Sequence, residues 1–124
     1  TAVNGDACNW SSNWGVDLGF DTTNPRGPWG SAAPTMLAVS YAGTPGTYNL
    51  LAHLTGDPDS QWYGIPNYAS GQFVTASALR LQYWTVPPST ALSGFQNVDM
   101  LAVFLDAEPT NVTYDFCVTG ISTR

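Results

Sequence analysis

The stretch TMLAVSYAGTPGTYNLLAHLT, residues 35–55, decides the fold class. It holds an apolar run at residues 35–41 and an alternating run at residues 47–55, and a turn around Pro45 and Gly46 separates them. Short apolar or alternating runs that end at Gly or Pro are typical of β-strands. The stretch therefore predicts two strands, and the same pattern continues along the chain.

Five further runs of this kind predict strands at residues 16–22, 72–75, 79–85, 97–106 and 112–121. No segment has sustained helical periodicity, and nine Pro and twelve Gly divide the chain at short intervals. Two segments rich in Gly, Pro and aromatic residues predict long loops at residues 24–34 and 56–71. We expect one all-β domain over residues 1–124, an antiparallel β-sandwich of the jelly-roll type.

The charge balance limits the partners of the chain. The formal net charge is −6, lysine is absent, and the cations are Arg26, Arg80 and Arg124. Nucleic acids and anionic membranes are bound through Lys and Arg, so neither is an expected partner. The expected ligand is neutral or cationic.

The low charge, the absence of lysine, the abundance of Thr, Ser and Gly, and two sequons, at Asn9 and Asn111, favour a secreted protein. In an oxidising compartment, Cys8 and Cys117 are expected to form a disulfide that joins the two ends of the chain. The alternative is a pair of buried free thiols. No signal peptide or membrane-spanning run is present in the sequence.

Catalytic patterns are scarce in this sequence. The chain has one histidine, His53, and lacks both a Gly-x-Ser-x-Gly elbow and a Gly-rich phosphate loop. Glycoside hydrolysis needs two carboxylates across a cleft. The pair Asp57 and Asp59 lies in a Gly-Asp-Pro-Asp-Ser segment, where Asp is common in turns. A binding function is therefore favoured over catalysis.

The run LRLQYW, residues 79–84, is the main candidate for a ligand site. Side chains in a strand alternate between two faces. One set is predicted to face the core: Leu79, Leu81 and Tyr83. The other set is predicted to face solvent, where an indole stacks on sugar rings and polar groups bind hydroxyls: Arg80, Gln82 and Trp84. The alternative is a Trp84 packed under a loop and an Arg80 paired with an Asp.

Neighbouring segments extend the predicted sugar site. On the strand at 47–55, Asn49 and His53 are expected to face outward, and they extend the polar floor if this strand lies beside the Arg80 strand. Aromatic residues of the two long loops are expected to wall the groove, although each of them could instead fill the core: Trp29, Trp62, Tyr63 and Tyr68.

A calcium site is also predicted. Calcium takes oxygen ligands, and the disulfide would bring together the regions that contain Asp6, Asp17 and Asp115. Separate solvated carboxylates are the alternative for these three residues.

Three stretches of the chain resemble the non-catalytic carbohydrate-binding modules of plant-cell-wall hydrolases. They are WGVDLGF at 14–20, LRLQYW at 79–84 with Pro87-Pro88, and VTYDFCVTGI at 112–121. The chain looks most like modules attached to β-glucanases and xyloglucanases, such as family 81. Many of these modules have paired Asp after the cysteine, where this chain has Thr119-Gly120, so their metal site is not carried over.

The resemblance implies a jelly roll, binding to β-glucan, frequently a structural calcium ion, and a catalytic domain tethered in the same polypeptide. The expected ligands are cellulose chains, xyloglucan or mixed-linkage glucan, and the strip that matches a stacking site is Arg80, Gln82 and Trp84. Two other functions stay open, a secreted structural or adhesion domain and a small glycoside hydrolase.

Overall fold

A computed structural model describes residues 15–44, 48–83, 90–106 and 113–124. Eight strands and two three-residue 3₁₀ turns, Gly30–Ala32 and Ala76–Ala78, make up the regular structure of these residues. The strands are β1 (Gly15–Asp21), β2 (Met36–Thr44), β3 (Tyr48–Leu54), β4 (Tyr63–Tyr68), β5 (Val74–Thr75), β6 (Arg80–Leu81), β7 (Val98–Asp106) and β8 (Asp115–Thr123).

The strands form two antiparallel sheets. The larger sheet has the order β1-β7-β3-β4-β6, and the smaller sheet has the order β5-β2-β8. The strands β2 and β3 follow each other in sequence but belong to different sheets. The predicted all-β class is confirmed, and the two sheets have the layout of a β-sandwich.

One apolar core lies between the sheets. Leu37 and Val39 of β2 face Leu50 of β3 and Val103 of β7, and all four side chains are fully buried. The core face that the sequence predicted for the strand at 47–55 is therefore confirmed at Leu50. The side of the larger sheet that faces away from this core is called the outer face below.

The strand β4 is absent from the sequence prediction, which assigned residues 56–71 to a loop. Gly64 and Pro66 fall within this strand and obscure its pattern. The strand tolerates Pro66 because its pairing with β3 is irregular there, between the partners Leu50↔Ile65 and Tyr48↔Tyr68. Proline is confined to such irregular or edge positions because it cannot donate a ladder hydrogen bond.

Candidate functional site

The predicted strand at 79–85 is much shorter in the structure. Its ladder ends at Leu81, because Gln82 has a φ of 50° and begins a turn with Tyr83. A positive φ is incompatible with an extended strand. Arg80 and Gln82 are both exposed, as predicted, but they do not belong to one continuous strand face. Trp84 lies outside the described residues and stays a prediction.

Tyr83 was expected in the core, and this expectation is wrong. Its ring lies on the outer face over Gly64, where an added Cβ would overlap the ring and would also lie 2.7 Å from Cδ2 of Leu51. Burial and the charge of Asp106 raise the pKa of the Tyr83 phenol, against the effect of a hydrogen bond with Asn49. The turn at residues 82–83 thus folds a tyrosine back over the sheet.

The strand β3 shows the predicted alternation but not the predicted exposure. Asn49, Leu51 and His53 lie on the outer face, yet Asn49 is only 6% exposed and His53 only 3% exposed. Other side chains contact both of them, and β4 separates β3 from the Arg80 strand. Neither Asn49 nor His53 forms the exposed polar floor that the sequence predicted.

Asn49 is held by its own hydrogen bonds. Its Nδ2 donates to Oδ2 of Asp106 over 2.8 Å, and its Oδ1 accepts from the backbone N–H of Asn67 over 3.3 Å. Asn67 has a φ of 52° at the irregular end of β4. Both polar atoms of the Asn49 side chain therefore have protein partners, which indicates a structural role.

His53 lies in a buried polar cluster at the other end of β3. Its Nδ1 is 2.8 Å from Oδ1 of Asp99, and its Nε2 is 3.3 Å from the carbonyl oxygen of Pro58. Nη2 of Arg26 also lies 3.0 Å from Nδ1. Both ring nitrogens thus have polar protein partners.

Asp99 receives two donors in this cluster. Besides His53, the Nη2 of Arg26 donates to its Oδ1 over 3.2 Å. Burial would raise the pKa of the Asp99 carboxyl, but the hydrogen bonds and charges of His53 and Arg26 outweigh burial and hold that pKa below its ordinary value. Asp99 is therefore the anion that links the loop residue Arg26 to His53 on β3.

Arg26 is a site residue that the sequence prediction missed. The Asp99 hydrogen bond raises the pKa of the guanidinium, burial opposes this effect, and the charges of Asp99, Asp21 and Asp59 add to it. The side chain is 37% exposed. The sequence feature that could have identified Arg26 is that it is one of three cations in the chain and lies in a Gly/Pro-rich loop.

Among the loop aromatic residues, Trp62 lies on the outer face. Its ring centroid is 5.2 Å from that of His53, and its Nε1 donates to the carbonyl oxygen of Asp59 over 2.8 Å. The indole is half-buried and is not part of the core cluster. Trp62 is therefore a fixed aromatic side chain at the surface, as the sequence predicted.

The other three predicted aromatic residues belong with the core. Trp29 packs edge-to-face on Phe95 with ring centroids 6.3 Å apart, and Tyr63 packs against the core from β4. Tyr68 is 1% exposed, and its hydroxyl accepts from the N–H of Val39 and donates to Gln72. These side chains pack in or against the core and do not wall a groove.

The strand register brings Trp62 close to the two exposed residues of the sequence prediction. The strands β4 and β6 pair as Gly64↔Arg80 and Tyr63↔Leu81, so the residues next beyond this ladder are Trp62 and Gln82. Since cross-strand partners share a face, Arg80 lies on the outer face with Gly64. The Trp62 face is defined here by three residues: Trp62, Gln82 and Arg80.

The predicted calcium ligands do not form a cluster in the described part of the chain. Asp17 lies on β1 and Asp115 on β8, in different sheets, and both are exposed. Within that part, no three His, Cys, Asp or Glu side chains group as metal ligands. Asp6 lies outside the described residues, so calcium binding stays a prediction.

The disulfide prediction also extends beyond the described residues. Cys117 is exposed on β8 and has no disulfide partner among the described residues, and its exposure differs from the alternative of a buried thiol. Cys8 lies outside the described part of the chain, so its pairing with Cys117 stays a prediction.

Comparisons with protein-family models, with curated proteins and with solved structures found no match to this chain. The helical segments of the described residues are 3₁₀ turns of three residues, far below the length that crosses a bilayer. The candidate function therefore rests on the geometry of the Trp62 face.

Proposed function

We propose that the chain is a non-catalytic module that binds β-linked glucans through the Trp62 face. The observation that carries this proposal is the placement of Trp62. Its indole lies outside the core, is fixed by the hydrogen bond from Nε1 to Asp59, and rests against the buried ring of His53. An aromatic ring held in this way is suited to stacking.

The chemistry of a glucan chain matches these side chains. The C–H faces of sugar rings stack on an indole, and the hydroxyls at the ring edges take hydrogen bonds from guanidinium and amide groups. Arg80 and Gln82 are exposed, and Trp62 and Gln82 are the residues next beyond the β4–β6 ladder that contains Arg80. Because Trp62 is already fixed, binding loses little side-chain entropy.

The charge distribution favours a neutral polysaccharide. The net charge is −6, and the exposed Arg26 lies near three carboxylates, those of Asp99, Asp21 and Asp59. This surface gives an anionic polymer little electrostatic attraction. Cellulose chains, xyloglucan and mixed-linkage glucan are neutral and fit these conditions.

The hydrolase alternative has less support from the described geometry. A catalytic histidine needs a ring nitrogen directed at a reacting group. The ring nitrogens of His53 instead contact Asp99 and the Pro58 carbonyl. Asp57 lies in a turn and accepts a hydrogen bond from Gln61, so its carboxylate is part of the loop structure.

The adhesion alternative would require an apolar surface patch. Among the described residues, the large apolar side chains classed as exposed are Leu18 on β1 and Ile121 on β8. They belong to different sheets. We therefore place the contact surface on the Trp62 face.

The proposal includes the wider expectations drawn from the sequence. They are a jelly-roll connection of the two sheets, secretion, a Cys8–Cys117 disulfide, a structural calcium ion, and a tethered glycoside hydrolase that this module directs to plant cell walls.

Calorimetric titration with soluble xyloglucan, mixed-linkage glucan and cello-oligosaccharides tests the proposal. We expect Trp62→Ala to weaken binding by at least about tenfold, or ~1.4 kcal/mol. The control is Phe73→Ala, because Phe73 packs under Arg124 away from the Trp62 face. If the wild-type chain binds none of these glucans, the proposal is wrong.

A further inference from the structure

The loop that carries Arg26 is ordered by its own hydrogen bonds. The Oγ1 atoms of Thr22 and Thr23 both lie 3.0 Å from the carbonyl oxygen of Gly27, and Oγ1 of Thr22 also lies 3.0 Å from the carbonyl oxygen of Val98. The backbone N–H of Trp29 donates to the same Val98 carbonyl. These hydrogen bonds fix the loop to Val98 at the start of β7, and Arg26 projects from this fixed loop.

The guanidinium of Arg26 uses one nitrogen for its contacts with the buried cluster. Its Nη2 lies 3.2 Å from Oδ1 of Asp99 and 3.0 Å from Nδ1 of His53. The remaining nitrogens of the group belong to a side chain that is 37% exposed. An arginine held at one nitrogen can therefore still donate from the others.

His53 connects Arg26 to the proposed stacking residue. Its Nδ1 lies 3.0 Å from Nη2 of Arg26, and its ring centroid lies 5.2 Å from that of Trp62. Arg26 and Trp62 therefore border the same buried side chain. A sugar ring stacked on Trp62 would have its edge hydroxyls close to the guanidinium.

We propose that Arg26 contacts the bound glucan and that Asp99 is the positioning residue that fixes its guanidinium. This inference rests on the proposed function and adds a ligand-contacting residue to it. Arg26 donates hydrogen bonds to hydroxyl oxygens at the edge of the sugar ring stacked on Trp62. Asp99 does not touch the glucan and acts through Arg26.

The charges around Arg26 define the class of group that it recognises. Asp99 takes one of its donors, and Asp21 and Asp59 contribute further negative charge nearby. These carboxylates compensate the charge of the guanidinium. The preferred partners are therefore neutral hydroxyls, and a sugar carboxylate is disfavoured at this position.

Titration of Arg26→Ala with a cello-oligosaccharide or a xyloglucan oligosaccharide tests the contact. We expect about a tenfold loss of affinity, as for one hydrogen bond from a charged donor. Arg124→Ala is the matched control, because it changes the net charge equally at a site that stacks on Phe73. We expect its affinity to stay within about twofold of wild type.

A double-mutant cycle tests the positioning role of Asp99. We expect Asp99→Asn to weaken binding in the wild-type background and to have no further effect on affinity in an Arg26→Ala background. A general structural role would weaken binding equally in both backgrounds. His53 is the one histidine in the chain, so its ring NMR signals report whether the cluster stays intact.

Three results would overturn the inference. Wild-type affinity in Arg26→Ala, together with a loss in Trp62→Ala, removes the Arg26 contact but leaves the proposed function standing. Equal losses from Asp99→Asn in both backgrounds remove the positioning role. Wild-type protein that binds no glucan overturns the proposed function and this inference together. If Asp99→Asn does not fold, Asp99→Glu, which keeps the charge and moves the carboxylate, replaces it in the cycle.

Discussion

The imidazole of His53 and the carboxylate of Asp99 form a buried pair on the outer face, with Nδ1 and Oδ1 2.8 Å apart. The pair joins β3 to β7 through side chains, next to the point where the backbone register of these strands shifts. Arg26 donates a hydrogen bond to Asp99 from a loop position that precedes β3 by more than twenty residues. The stability of this end of the sheet thus depends on one carboxylate.

Asp99→Asn is expected to reduce the free energy of unfolding at neutral pH by about 2 kcal/mol, because it weakens hydrogen bonds to a charged group. Urea unfolding at pH 7 measures the change. The control is Asp115→Asn, which alters an exposed carboxylate on the smaller sheet. Equal stability of wild type and Asp99→Asn would contradict the prediction.

The acid dependence of stability follows from the same residue. The folded pKa of Asp99 lies below its ordinary value, so its ionised form stabilises the fold above the unfolded pKa. This contribution is lost as the pH falls through the folded pKa, from about pH 4 downward. We expect the stability of wild type to fall more steeply below pH 4 than that of Asp99→Asn. Parallel urea titrations from pH 5 to pH 2 would show this difference, and identical slopes would refute it.

Gly64→Ala is expected to destabilise the fold by ~1–3 kcal/mol, since the added Cβ would overlap the Tyr83 ring and crowd Leu51. Thermal unfolding measures the loss. Gly120→Ala on β8 is the matched control, because an added Cβ there has no atom within 4 Å among its surroundings. A loss of the same size in both variants would show that the contact with Tyr83 is not the cause.

Tyr68→Phe is expected to cost about 1–2 kcal/mol of unfolding free energy, because it leaves the buried N–H of Val39 without its acceptor. The hydroxyl also donates to the Gln72 carbonyl over 2.7 Å. Urea unfolding of Tyr68→Phe beside Tyr63→Phe separates this effect from the general loss of a hydroxyl. A Tyr68→Phe variant as stable as wild type would exclude the hydrogen bond as a source of stability.

Trp84→Ala is expected to weaken glucan binding by at least about tenfold if the residue stacks as the sequence predicts. The variant should be titrated beside Trp62→Ala with the same oligosaccharide. Unchanged affinity for Trp84→Ala in a folded protein would restrict stacking to Trp62. Losses in both variants would indicate that two indoles line the bound chain.

The central strands could be predicted from sequence because their alternation reflects local geometry. Leu50 and His53 were assigned to opposite faces of β3, and the structure agrees. The burial of His53 could not be predicted, because it is covered by Arg26 and Trp62. These residues lie in the loops that precede and follow β3 in the sequence. Local patterns identify the face of a residue, while its exposure depends on segments that fold over it.

The end of the strand at Leu81 illustrates the same limit. Leu79, Leu81 and Tyr83 alternate as they would in a longer strand, and Leu79 is indeed buried. The positive φ of Gln82 ends the alternation and redirects Tyr83. Glutamine is not a residue that marks such a turn, so the sequence carries no signal for it.

The separation of β2 and β3 into different sheets has a consequence for how the chain folds. The strand β2 ends at Thr44 and β3 begins at Tyr48, but the two strands belong to different sheets and do not pair as a hairpin. The strand β2 pairs with β5 and β8, and β1 pairs with β7, so the paired strands are far apart in the sequence. Proteins dominated by such distant pairings fold in milliseconds to seconds. We expect this chain to fold slowly for its length, with neither sheet complete before most of the polypeptide is available.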